Sequence, residues 1–195
     1  VIIIEDKNPI GLMSVTDATR EESKHAIQEL RRQGMQNIIM LTGDNEGTAN
    51  SIASELGIND VRAQLLPEEK VDAVNQLKTK YGSIGMIGDG INDAPALAAA
   101  SIGIAMGTAG TDAAIETANI VLMSDNLSKV SDTISLSKKT LRIIKQNITI
   151  AIVTKAVFLF FGAFGIASLW MAILADDGAA LVVILNGLRL LNHNK

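Results

Sequence analysis

From Asn147 to Leu191 the sequence runs for 45 residues with four charged side chains, Lys155, Asp176, Asp177 and Arg189. A membrane-crossing helix needs about 20 mostly apolar residues, so this stretch has the length of two spans joined by a tight turn. The rest of the chain is of another kind. Residues 1–146 hold 14 of the 17 basic residues and 19 of the 21 acids, a formal net charge of −5. The expected division is an acidic soluble part followed by a membrane hairpin. At 195 residues the chain is long enough for a sizeable core. The count of zero cysteines excludes disulfide scaffolds, Cys-based zinc sites and thiol catalysis. An overall net charge of −4 lacks the basic face of a nucleic-acid binder, so no nucleic-acid partner is expected. The chain opens on Val1 in a strand-like run, with no signal peptide, and reads as a segment of a longer protein.

The soluble part alternates between strand-length and helix-length patterns. Val1–Ile4, Gly11–Val15, Ile38–Leu41, Val61–Ala63, Ile84–Ile87, Ile102–Ala105 and Ile120–Leu122 read as strands. Between them, helices are expected over Arg20–Gln33 with Gly34 as its stop, Glu46–Leu56 before Gly57, Glu68–Tyr81 behind Pro67, and Asp93–Ala100. Such alternation predicts an α/β fold, a Rossmann-like parallel sheet with helices on both faces. Residues 127–146 read as an amphipathic stalk, 147–191 as the hairpin with its turn near 162–168, and 192–195 as a tail.

In sheets of this kind ligands bind beyond the carboxyl ends of the strands. Two polar, glycine-containing segments stand there: Thr42-Gly43-Asp44-Asn45 and Gly88-Asp89-Gly90-Ile91-Asn92-Asp93. Either alone suits an ordinary strand–helix turn. On neighbouring strands of one sheet, their aspartates would form a hard-oxygen cluster suited to Mg²⁺ held jointly with a phosphate. Lys70, near a helix N-terminus, has the compact charge to neutralise a transferring phosphoryl group. From spacing alone, a solvated helix lysine is the better reading.

The run Met86 to Leu97, Met-Ile-Gly-Asp-Gly-Ile-Asn-Asp-Ala-Pro-Ala-Leu, resembles the hinge signature of P-type ATPases. Thr42-Gly43-Asp44 and Leu66-Pro67-Glu68-Glu69-Lys70 resemble two further motifs of their phosphorylation domain. The resemblance implies a phosphoaspartate, haloacid dehalogenase-like fold over 1–126, with ATP and Mg²⁺ as cofactors. It implies that Asp89 ligates Mg²⁺ with Asn92 and Asp93 in support, and that Thr42 and Lys70 contact the phosphoryl group. Asp17 and Arg20 are similar to an Asp-x-x-Arg element beside the bound nucleotide. The Asp-Lys-Thr-Gly-Thr segment carrying the family's phosphorylated aspartate is absent from these residues. Asp6-Lys7-Asn8-Pro9 lacks the Thr-Gly-Thr and is rejected as the nucleophile. A covalent phosphoenzyme needs its nucleophile, so this chain alone is expected to be inactive, its partner being the remaining N-terminal part of the ATPase.

Lys138, Lys139, Arg142 and Lys145 precede the first span and Arg189 and Lys195 border the second, which by the positive-inside bias places both ends in the cytoplasm. A multi-pass plasma-membrane location is expected, with Trp170 as an interfacial anchor. Lys155 and Asp176 each lie 10 or 11 residues from the turn's midpoint, about 15–16 Å along a helix. Both charges then fall near the bilayer midplane, where ionisable side chains cost roughly 2.5–3.5 kcal/mol and usually mark an ion pathway. A neutralising structural pair is the alternative. The hairpin resembles the last two helices of zinc/cadmium/lead-exporting heavy-metal ATPases, which implies Asp176 and Lys155 in the transported-metal site. Asp177 departs from that pattern. Two rivals stand beside this reading: a soluble phosphoaspartate-type phosphatase, and a non-catalytic membrane regulator or remnant.

Overall fold

The computed structural model describes residues 2–5, 8–12, 19–89, 92–107 and 116–191. The chain divides into two compact units, Val1–Ser131 and Asp132–Lys195.

In the first unit, β1 (Ile2–Glu5) and β2 (Asn8–Leu12) pair antiparallel, with Ile2 opposite Leu12 and Glu5 opposite Asn8. The expectation of parallel strands throughout fails here for a simple reason. Only residues 6 and 7 connect the two strands, whereas a parallel crossover takes a dozen residues or more. β2 also begins at Asn8 rather than Gly11.

Beyond this hairpin the strands alternate with helices as expected. In order come α1 (Glu21–Arg32), β3 (Ile39–Leu41), α2 (Glu46–Leu56), β4 (Asp60–Arg62) and α3 (Pro67–Tyr81). β5 (Gly85–Gly88), α4 (Ala94–Ala99), β6 (Ile102–Met106) and β7 (Ile120–Leu122) follow. Local signals fix the helix starts. The Asn45 side chain accepts from Thr48 N at 3.0 Å to cap α2. Pro67 opens α3 where no backbone N–H is needed, with Glu68 and Glu69 in the first turn and Lys78 and Lys80 in the last, matching the helix dipole.

β3 and β4 pair in parallel, as do β5, β6 and β7. One continuous sheet was expected, with β3 and β5 as neighbours; they belong instead to separate sheets. β3 pairs with β4, and β5 with β6, each the next strand in sequence, but β4 does not pair with β5, and among the described residues no strand bridges β3 and β5. The core nonetheless runs behind both. Val74 of α3, Met86 of β5, Leu97 of α4 and Ala105 of β6 are buried together, and Leu41 of β3 packs against them.

The second unit is helical. α5 (Ser128–Ala163) is one continuous helix of 36 residues that begins just inside the first unit, and α6 (Leu169–Leu188) has 20. Gly162 and Ala163, expected in the turn, complete the last turn of α5. The chain reverses at Gly165, whose φ of +71° is the left-handed conformation that glycine adopts without a Cβ penalty. Its N–H donates to Gly162 O and that of Ile166 to Phe161 O, which together close the helix end. The Ser168 hydroxyl then accepts from Met171 N at the start of α6. Both helices are long and apolar enough to cross a membrane.

Candidate phosphoryl site and membrane ion pair

Thr42, Gly43 and Asp44 leave the end of β3. The Thr42 hydroxyl donates to Asp44 Oδ2 at 3.0 Å and accepts from Asp44 N at 3.1 Å, so each side chain holds the other. Three backbone bonds tie this loop to the end of β4 and the segment that follows it: Thr42 N to Arg62 O, Leu65 N to Thr42 O, and Gln64 N to Asp44 O. Gln64 sits at φ +57°, a left-handed conformation that costs a residue with a Cβ about 1–3 kcal/mol. That turn sends the chain into Leu66 and Pro67. The Glu69 carboxylate then accepts from Leu66 N at 2.8 Å. Lys70 follows within the first turns of α3. The Thr42 loop and the lysine helix are thus one stitched assembly, and Gln64 is the joint that the sequence reading missed. Glutamine carries no turn signature; no local pattern marks it.

Lys70 is not a solvated helix lysine. Its ammonium lies 2.7 Å from Asp93 Oδ1, with the two side chains 15% and 16% exposed. Asp93 in turn crowds the end of β5: a Cβ added at Gly88 would sit 2.7 Å from Asp93 Oδ2. Glycine at 88 is what lets Asp93 reach back to Lys70. Asp89, directly after β5, is exposed, as is Asn92 on the turn into α4. The structure therefore brings Lys70, Asp93 and the end of β5 together and joins Thr42 to the segment leading into α3.

Among the described residues no three His, Cys, Asp or Glu gather as a complete metal cage. Mg²⁺ is ordinarily held by one or two carboxylates with phosphate oxygens and waters. Asp89, a solvent-facing carboxylate at a strand end, fits that share. Asp93 is committed to Lys70. Arg20 stands at the N-terminus of α1 with its guanidinium 3.5 Å from the Asp125 carbonyl, while Asp17 lies outside the described residues.

In the second unit, Lys155 Nζ is 3.7 Å from Asp176 Oδ1, joining α5 to α6. The side chains are 70% and 63% exposed. Asp177, next along α6, is also exposed. Nearer the termini of the hairpin, Asn186 Nδ2 donates to Asn147 Oδ1 at 2.8 Å and Arg189 donates to Asn186 Oδ1 at 3.0 Å.

The family model for haloacid dehalogenase-like hydrolases matches residues 1–101. The cadmium-transporting ATPase of Staphylococcus aureus is 51% identical over 191 residues, which is 98% of this chain and 26% of that protein. The zinc-transporting ATPase of Synechocystis is 47% identical over 182 residues, 92% of this chain and 25% of that protein. A crystal structure of a zinc-transporting PIB-type ATPase in the E2.Pi state superposes with a TM-score of 0.88 at 43% identity, covering 98% of this chain and 31% of the other. The chain thus spans about a quarter of the length of the curated relatives it matches.

Proposed function

This chain belongs to the haloacid dehalogenase-like hydrolase family, and from that premise we propose that it supplies the phosphoryl site and a transport hairpin of an ATP-driven exporter of Zn²⁺, Cd²⁺ or Pb²⁺. The exporter would work through an aspartyl-phosphate whose aspartate lies outside these 195 residues. The observation that carries this reading is a likeness to a cadmium-transporting ATPase over 98% of the chain, loops and hairpin alike. A soluble phosphatase of the same fold would have no use for an ion pair between two bilayer-length helices.

In the phosphoryl site, Thr42 presents a hydroxyl whose orientation Asp44 fixes. Lys70 brings a positive charge to the developing phosphoryl oxygens, and charge placed in advance of the transition state needs no reorganisation when it forms. Asp93 holds that ammonium in place, and Gly88 makes the room for Asp93. Gly43 carries the chain between Thr42 and Asp44, and Asn92 supports the Asp89 turn. Asp89 would hold Mg²⁺, which when bound neutralises phosphate charge. Asp17 and Arg20 would face the nucleotide.

In the hairpin, α5 is about 54 Å long at 1.5 Å per residue, against a hydrocarbon core of about 30 Å. Its first part, within residues 127–146, would stand clear of the bilayer as a stalk, while α6 has the length of one span. With both ends in the cytoplasm, Lys155 and Asp176 meet near the midplane of a cell membrane. Lys155 neutralises the carboxylate until a divalent cation displaces it; a carboxylate without thioether suits Zn²⁺ better than Cu⁺.

The test is ATPase activity of a complete enzyme carrying this chain, across Zn²⁺, Cd²⁺, Pb²⁺, Cu⁺ and K⁺, beside its Asp176→Ala variant. Stimulation by the divalent soft metals that disappears in the variant is expected. Stimulation by Cu⁺ or K⁺, or a variant that behaves like wild type, would contradict the reading.

A further inference from the structure

At the end of the hairpin away from the turn, α5 and α6 enclose an open cleft of about 790 Å³. Four of its lining side chains are cations, Lys138, Arg142 and Lys145 from α5 and Arg189 from α6, and none is acidic. The three on α5 are spaced i, i+4 and i+7, so they share the face turned toward α6. Like charges at that spacing repel one another by a few tenths of a kcal/mol, roughly 0.2–0.5 per pair, and an anion held among Arg142, Lys145 and Arg189 would turn that repulsion into attraction.

The cleft is amphipathic along its depth. Measured along the helices from Lys155 and Asp176, Lys145 lies about 15 Å away and Arg142 and Arg189 about 20 Å, at 1.5 Å per residue. That is the edge of a hydrocarbon layer about 30 Å thick. Ile150 and Val182, which line the inner part of the cleft, lie about 8–9 Å from the same level, well within the acyl region. Arg189 is held by Asn186, and Asn186 by Asn147, which ties the two walls together.

We propose that this cleft binds an anionic phospholipid, its phosphate among Arg142, Lys145 and Arg189 and one acyl chain along Ile150 and Val182. Basic pockets between membrane helices on the cytoplasmic side have the chemistry for such headgroups. The inference rests on the reading of α5 and α6 as membrane spans. It adds a ligand that neither phosphoryl transfer nor metal binding requires.

The experiment uses the complete enzyme reconstituted in vesicles of phosphatidylcholine and phosphatidylglycerol at 3:1, extracted in mild detergent and examined by native mass spectrometry. Wild type is expected to retain phosphatidylglycerol in preference to phosphatidylcholine. Arg189→Gln and Lys145→Gln should each lower that retention about fivefold, the change expected for one cation at an anionic surface. Lys139→Gln removes the same charge outside the cleft and should change it less than about twofold. Equal losses in all three variants, or wild type retaining no phosphatidylglycerol because helices from the rest of the enzyme fill the cleft, would overturn the proposal. An Ile166→Cys substitution in the turn, labelled with a membrane-impermeant reagent from either side of the vesicle, separates the two levels of failure. Labelling only from the side opposite the soluble unit, without lipid preference, refutes the cleft alone, while labelling only from the same side as the soluble unit refutes the membrane reading and the cleft with it.

Discussion

Replacing Lys70 and Asp93 by alanine, singly and together, measures the contact on which the phosphoryl site depends. At 2.7 Å, two unit charges attract by roughly 6 kcal/mol at an effective dielectric of about 20. Most of that is offset by desolvation, because the side chains are only 15% and 16% exposed. What remains decisive is the orphan. Removing either partner leaves the other charge largely buried, which costs about 3–5 kcal/mol in fully buried pairs. The residual exposure here points to the low end, about 3 kcal/mol for each single variant. The double variant leaves no orphan charge and should lose no more than either single one, about 3 kcal/mol rather than 6, a coupling of about 3 kcal/mol. Urea titration of the 195-residue chain in mild detergent, followed by circular dichroism, gives the four free energies. Single-variant losses that add to within about 0.5 kcal/mol would refute the pairing and return Lys70 to the solvated helix surface.

Other perturbations separate the remaining parts. Asp89→Asn in a complete enzyme should lower Mg²⁺-dependent phosphorylation by about a hundredfold or more, the usual effect of losing one preorganised charge, with urea stability unchanged. Gly88→Ala should cost about 1–3 kcal/mol by overpacking and should weaken the measured Lys70–Asp93 coupling, since the new Cβ meets Asp93 first. Ser137→Pro, an exposed position in the first half of α5, should cost roughly 3 kcal/mol of helix stability. In a complete enzyme it should leave phosphorylation in place while metal transport into vesicles falls; unchanged transport per phosphorylation would remove α5 as the mechanical link.

What the sequence reveals is largely what is local. The glycine-bearing loops at Thr42 and Asp89 announce themselves because a chain leaving a buried strand must turn, and few residues turn it. α2 and α3 fall within a residue of their expected bounds because Asn45, Gly57, Pro67 and Gly82 act on their immediate neighbours. Lys155 and Asp176 were paired in advance by counting residues from the turn, since a helix converts sequence distance into depth at a fixed rise. Contacts made across the fold were hidden. Lys70 meets Asp93 over 23 residues of separation, and no spacing rule distinguishes that lysine from a surface one. The separation of β3 from β5 is likewise set by how sheets pair, not by the composition of either strand. The cations of the hairpin were visible, yet only as a count of positive charge. Their gathering on one face with Arg189 needed two helices side by side.

The most direct measurement on the proposed exporter is phosphorylation of a complete Asp176→Asn enzyme, from ATP with Zn²⁺ or Cd²⁺ and, separately, from inorganic phosphate with Mg²⁺. If Asp176 holds the transported metal and Thr42, Lys70, Asp89 and Asp93 serve the phosphoryl group, metal-dependent phosphorylation by ATP disappears while phosphorylation by inorganic phosphate persists. Phosphorylation by ATP that remains metal-dependent in the variant would contradict the assignment of the hairpin to metal transport.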